Sequence, residues 1–141
     1  MNKVTVSTKA KDIKREWHLV DAKGKVLGRI ATEIAQLLMG KRKSYFVGNL
    51  DCGDNVVIIN ADRVEVTGKK ESKKKYTNFS GYPGGLRTRT YAEVKKQGVE
   101  EIVRHAVAGM LPKNRLRAEM LRRLYIFEGQ EHKFEDKFKT N

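Results

Sequence analysis

Four consecutive apolar residues, Val56-Val57-Ile58-Ile59, stand between two polar turn segments, Gly53-Asp54-Asn55 and Asn60-Ala61-Asp62. A strand wetted on one face alternates polar and apolar side chains. An unbroken β-branched run therefore predicts a strand buried on both faces. Val64 and Val66 alternate with Arg63, Glu65 and Thr67, which predicts a second, half-buried strand nearer a sheet edge. Trp17 to Val20 predicts a short strand upstream, closed by the turn-forming Asp21-Ala22-Lys23-Gly24-Lys25, and Leu124 to Phe127 a final one. His18 reads as a surface-facing strand histidine.

Elsewhere the period is helical. Leu27, Ile30, Ala31, Ile34, Leu37 and Leu38 share one face, with Arg29, Thr32, Glu33 and Gln36 opposite. Gly40 follows, where a left-handed cap is easiest for glycine. Thr90-Tyr91-Ala92-Glu93 has capping-box form and opens a short helix to about Gln97. Val99, Ile102, Val103, Ala106, Val107 and Met110 form the stripe of a longer helix, stopped by Pro112. Gly109 in its last turn is costly unless another backbone packs close to it. A third substantial helix follows Lys113, with Asn114 as its cap. Leu116, Met120 and Leu124 face inward there, while Arg115, Arg117, Arg122 and Arg123 cover the outside. The segment from Gly68 to Arg89 lacks apolar periodicity and reads as a long loop. Residues 1–16 read as a basic extension that orders late or on a partner, and the polar tail beyond Glu128 as loosely structured.

The chain has 141 residues, enough for one domain with a real core. Only 39% of them are hydrophobic and 33% are charged, so that core is modest. Thirty Lys and Arg against seventeen Asp and Glu leave a net charge of +13. Self-repulsion on that scale points to a polyanionic partner, nucleic acid ahead of an anionic membrane. The charge is also clustered: Lys69 to Arg89 holds seven basic residues and one acid, and Lys113 to Arg123 five and one. Lys41, Arg42 and Lys43 exceed what one helix C-terminus needs, which suggests a phosphate contact. The single Cys52 excludes an internal disulfide, and no segment approaches the ~20 apolar residues of a membrane span or a signal-peptide core. A cytosolic protein is expected.

In the long segment Lys69, Lys70, Lys73, Lys74, Lys75, Arg87 and Arg89 are interleaved with Tyr76, Phe79 and Tyr82, and Gly81-Tyr82-Pro83-Gly84-Gly85 lets the backbone turn sharply. Cations meet phosphates, aromatic faces stack on unpaired bases, and glycine amides approach a backbone. As a phosphate-cradling loop for a nucleotide the segment is weak, because it lacks Walker spacing and does not pass from a strand straight into a helix. A rival reading makes Asp51, Asp54 and Glu65 the metal-binding carboxylates of an RNA-processing enzyme. Cys52 with His18, His105 and His132 lacks the spacing of a zinc or thiolate site. A DNA-binding module remains a third possibility, without helix-turn-helix or finger spacing.

Trp17-His18-Leu19-Val20-Asp21-Ala22, Leu27-Gly28-Arg29-Ile30-Ala31, Gly53 to Ala61, Thr67-Gly68-Lys69-Lys70, Gly81 to Gly85 and Gly109-Met110-Leu111-Pro112-Lys113-Asn114 occur in this order. Together they resemble the universal ribosomal protein thirteen of the large subunit, in its bacterial form, over roughly Trp17 to Gly129. The resemblance implies a three-layer α/β/α domain at 17–129 between the extension and the tail at 130–141. Its small, mostly parallel sheet would take in the four predicted strands. Binding to large-subunit ribosomal RNA, early incorporation during assembly and neighbouring ribosomal proteins as partners are also implied, with no enzymatic activity, cofactor, membrane or small-molecule substrate. Lys69-Lys70, Gly81 to Gly85 and Lys113-Asn114 are the RNA-contacting stretches it suggests. Asn78-Phe79 stands where bacterial members commonly carry a histidine, and Arg115-Leu116-Arg117 where they carry Leu-Gly-Arg.

Overall fold

The apolar run forms β2 (Asn55–Ile59), the middle strand of a three-stranded parallel sheet in the computed structural model, which describes residues 6–139. β1 (Trp17–Asp21) pairs with it on one side and β5 (Leu124–Ile126) on the other. Val56, Val57 and Ile58 are fully buried, as an apolar run flanked by two strands requires.

The second predicted strand does not form, so the sheet has three strands where four were expected. Asn60 adopts a left-handed conformation at φ 53° and turns the chain into a 3-10 turn, Ala61–Arg63. The next residues lie along the loop before α1 (Leu27–Met39): the amides of Gly24 and Leu27 donate to the carbonyls of Arg63 and Glu65, and Glu65 donates back to Lys25. The alternation of Val64 and Val66 marks burial against the core, which it achieves without a strand.

The three-layer expectation is corrected as well. β1, β2 and β5 are added to the sheet in one direction. Right-handed crossovers then place their helices on the same face. The buried side chains of α1, α3 (Tyr91–Gln97), α4 (Val99–Met110) and α5 (Leu116–Arg122) accordingly join a single cluster with Val20, Val56, Ile58 and Leu124. The C-terminal tail covers part of the other face. Trp17 stacks on Tyr125 at 5.7 Å between ring centroids, and Phe134 lies 5.0 Å from Trp17 and 4.5 Å from Tyr125. Tail residues 132–138 are thus packed through His132, Phe134 and Phe138, and the expectation of a loose tail is overturned.

Local signals set the helix ends. Gly40 caps α1 in the left-handed conformation. Thr90 accepts from the Glu93 amide while the Glu93 carboxylate accepts from the Thr90 amide, completing the capping box of α3. α5 starts at Leu116 with no side-chain cap, so Asn114 does not act as the cap that was expected. Its amide instead closes a tight turn onto Pro112. Gly53 is required by close approach, since a Cβ there would fall 1.6 Å from the Leu38 carbonyl oxygen.

Candidate nucleic-acid interface

The segment expected to be a loop is built. A single helical turn, α2 (Lys70–Lys73), leads into an antiparallel hairpin of β3 (Lys75–Phe79) and β4 (Leu86–Thr90). Helical and strand periods were invisible because only Tyr76 of β3 is buried. The rest of the ribbon is solvated on both faces. Phe79 and Leu86 face each other across the strands and remain mostly exposed, and Tyr82 at the tip is 75% exposed. Three large apolar side chains are thus held out on a two-stranded ribbon, away from the core. Gly84 turns the tip at φ 72°, and a Cβ on Gly85 would meet Ser80 Oγ at 1.9 Å. These two glycines therefore shape the hairpin itself.

Lys69, Lys70, Lys73, Lys75 and Arg87 are exposed around this hairpin. Lys74 is half-buried, its ammonium 5.4 Å from the centroid of the Tyr76 ring. Arg89 is engaged within the protein: it donates to Gln97 at 2.7 Å and pairs with Glu101. A second group lies at the far end of α4. Lys41 and Asn114 line a cavity of about 400 Å³ floored by Met39, Phe46, Leu50 and Pro112. Lys70, Lys74 and His105 line a neighbouring cavity of about 330 Å³, and Met110 belongs to both. The fold thus brings cations distant in sequence onto one surface on either side of Met110. Arg42, Lys113, Arg115 and Arg122 are exposed and Arg117 half-buried. The exposed pair of Arg122 with Glu119 is of a kind that contributes little.

Two predicted surface cations lie inside. Arg123 has an 11% exposed side chain paired with Asp51, and it donates to the carbonyls of Asp54 at 2.6 Å and Leu38 at 3.2 Å. Lys43, at 13%, pairs with Asp54 and donates to the Lys14 carbonyl. His18, expected to face solvent, lies 2.8 Å from Asp54 through Nε2. Arg15 donates to the Gly53 carbonyl at 2.7 Å, and Thr8 donates to Tyr45 at 2.8 Å. Residues 8–16 are therefore fastened to the domain, and only residues 1–5 of the expected extension lie outside the described residues. Burial raises the affinity of the Asp54 carboxyl for a proton. Hydrogen bonds from Lys43, the Glu16 amide and His18 outweigh it and hold the pKa below the ordinary 3.8.

The carboxylates of the enzyme reading do not converge. Leu27, at the start of α1, donates to Glu65, whereas the Asp54 amide donates to Leu37 near its end. Ten helical residues separate those bonds, about 15 Å at the helical rise. Glu16, His18 and Asp54 do bring ligand atoms within 4.8 Å of one another, but Lys43 already neutralises Asp54. Among the described residues no helix is long and apolar enough to cross a membrane.

The class so defined is a basic α/β protein with exposed cations on a projecting hairpin and beside two cavities that meet at Met110. Residues 15–133 match the family model described as Ribosomal protein L13. Proteins named Large ribosomal subunit protein uL13 are similar over nearly the whole chain. One from Dehalococcoides mccartyi strain 195 is 52% identical, covering 91% of this chain and 90% of its own. Those from Geobacillus kaustophilus and Halorhodospira halophila are 48% and 46% identical, each covering 92% of this chain and 90% and 91% of their own. The chain belongs to the ribosomal protein L13 family.

Proposed function

We propose that this chain is a non-catalytic constituent of the large ribosomal subunit in the cytoplasm and binds large-subunit ribosomal RNA. The carrying observation is a family member whose exposed cations gather on a hairpin and around the two cavities that meet at Met110, the C-terminal residue of α4. Lys and Arg displace counterions from phosphates, the Phe79–Tyr82–Leu86 tip fits an irregular RNA surface, and the α/β core holds both in fixed relation. The residues proposed to meet RNA are Lys41, Arg42, Lys69, Lys70, Lys73, Lys74, Lys75, Tyr82, Gly84, Gly85, Arg87, Lys113, Asn114, Arg115, Arg117 and Arg122. Lys43, Arg89 and Arg123 are left out because their charges are engaged within the protein. Early incorporation during assembly and contacts with neighbouring ribosomal proteins belong to the same reading. It needs no cofactor and no small-molecule substrate.

A salt-dependent titration against large-subunit ribosomal RNA and an unrelated RNA of equal length tests it. The ribosomal RNA should bind more tightly. Lys69/Lys73/Lys75→Ala should flatten the dependence of log K on log salt by roughly 0.7–0.9 per lost phosphate contact. Equal affinity for the two RNAs, with an unchanged slope in the variant, would defeat the proposal.

A further inference from the structure

Gly28 and Gly109 have no explanation inside the fold. Gly28 lies in the first turn of α1 and Gly109 in the last turn of α4, and neither has a positive φ. A Cβ built on either would find nothing within 4 Å among the described residues. Among the described residues no backbone packs against Gly109, so the close packing expected on sequence grounds does not account for its helix-weakening effect. Both glycines line the same cavity of about 330 Å³. Leu27, Val66 and Met110 supply apolar walls, and Lys70, Lys74 and His105 its cations and aromatic edge. Tyr76 fixes that edge: its ring meets His105 in a T-shaped contact at 5.1 Å, and Lys74 stands over it.

We propose that this cavity receives one unstacked nucleotide of the ribosomal RNA, its base in the apolar slot kept open by Gly28 and Gly109 and its phosphate on Lys70 and Lys74. The inference rests on the RNA-binding reading above and deepens it. A cavity of this volume lies at the lower end of those that hold small ligands. Single bases splayed from loops and bulges are what proteins read in RNA, by stacking and edge contacts. An apolar slot edged by cations is complementary to a base that carries its phosphate, whereas an uncharged protein side chain would leave those cations without a counterpart.

The test uses the full chain with Gly28→Ala/Gly109→Ala, with large-subunit ribosomal RNA and the unrelated RNA as probes. Because the added methyls meet open space and improve the helices, Tm should rise by a few degrees. Affinity for the ribosomal RNA should nevertheless fall at least about tenfold, the scale of losing one base contact. The salt slope should stay that of the wild type, since no cation is removed. Photo-crosslinking of thiouridine-substituted ribosomal RNA to the peptide bearing His105 and Met110 should be lost in the variant.

Wild-type affinity in the folded variant, or a lower Tm, would overturn the proposal. So would normal RNA binding combined with failure to enter subunits on reconstitution, which would give the slot to a neighbouring protein. If the wild type itself does not prefer ribosomal RNA, the RNA-binding reading fails first and is distinguished by that result.

Discussion

Asp54 shows how one buried carboxylate holds together three remote parts of the chain. It accepts from Lys43, from the Glu16 amide and from His18, while its own carbonyl accepts from Arg123. Removing one partner of a buried ion pair is expensive because the other charge stays desolvated. Asp54→Asn should therefore lower the unfolding free energy by about 3 kcal/mol at neutral pH. Its pKa in the fold lies below 3.8, so the unfolded chain takes up the proton first as pH falls. The contribution is complete above about pH 4 and lost as pH falls through the folded value. Urea unfolding of both proteins should show a gap at neutral pH that narrows in acid. A gap independent of pH would mean that the carboxylate charge is not what stabilises this junction.

At the scale of elements, the junction of hairpin and helix depends on Thr90, which ends β4 and caps α3. The hairpin has only Tyr76 buried in its first strand, and two-stranded ribbons are marginal in water. Its position is therefore set at its base, where Tyr91 donates from its amide to Lys74 and Arg89 reaches Glu101. Thr90→Ala removes the side-chain acceptor of the Glu93 amide, leaving the bond from the residue-90 amide to the Glu93 carboxylate, and should cost about 1 kcal/mol in unfolding free energy. Faster amide exchange in β4 than in β2 should accompany it. An unchanged urea midpoint would show that the cap is redundant with these anchors.

For the molecule as a whole, a one-sided helical layer leaves the other face of the sheet in need of cover. Val57 is fully buried although it lies outside the helical core, with Leu19 and Tyr125 beside it in register. Leu19 remains 45% exposed, so the cover is partial. The tail supplies it through Phe134, on a surface that contains the only tryptophan of the sequence, Trp17. Phe134→Ala should lower stability by roughly 1–3 kcal/mol, below a full Phe truncation because the ring is half-buried. It should also red-shift Trp17 emission in the folded state. Unaltered emission would show that the tail does not shield Trp17 in solution.

The sequence by itself determined most of what is governed by neighbours within a few residues, the Asn114 cap excepted. The doubly buried strand, the stripes of α1 and α4, the left-handed Gly40 and the Thr90–Glu93 box follow from local sterics and period. The motif order also placed the family. Only the tertiary structure decided what depends on distant partners. Arg123 and Lys43 look like surface cations until Asp51 and Asp54 lie beside them. Phe134 looks like part of a polar tail until a bare sheet face meets it. Val64 looks like strand until the carbonyls on either side of it, Arg63 and Glu65, are met by Gly24 and Leu27 instead of by the sheet. The basic hairpin carried no periodic signal because almost none of it is buried. Period is the imprint of a core, and where a chain leaves the core its sequence keeps composition alone.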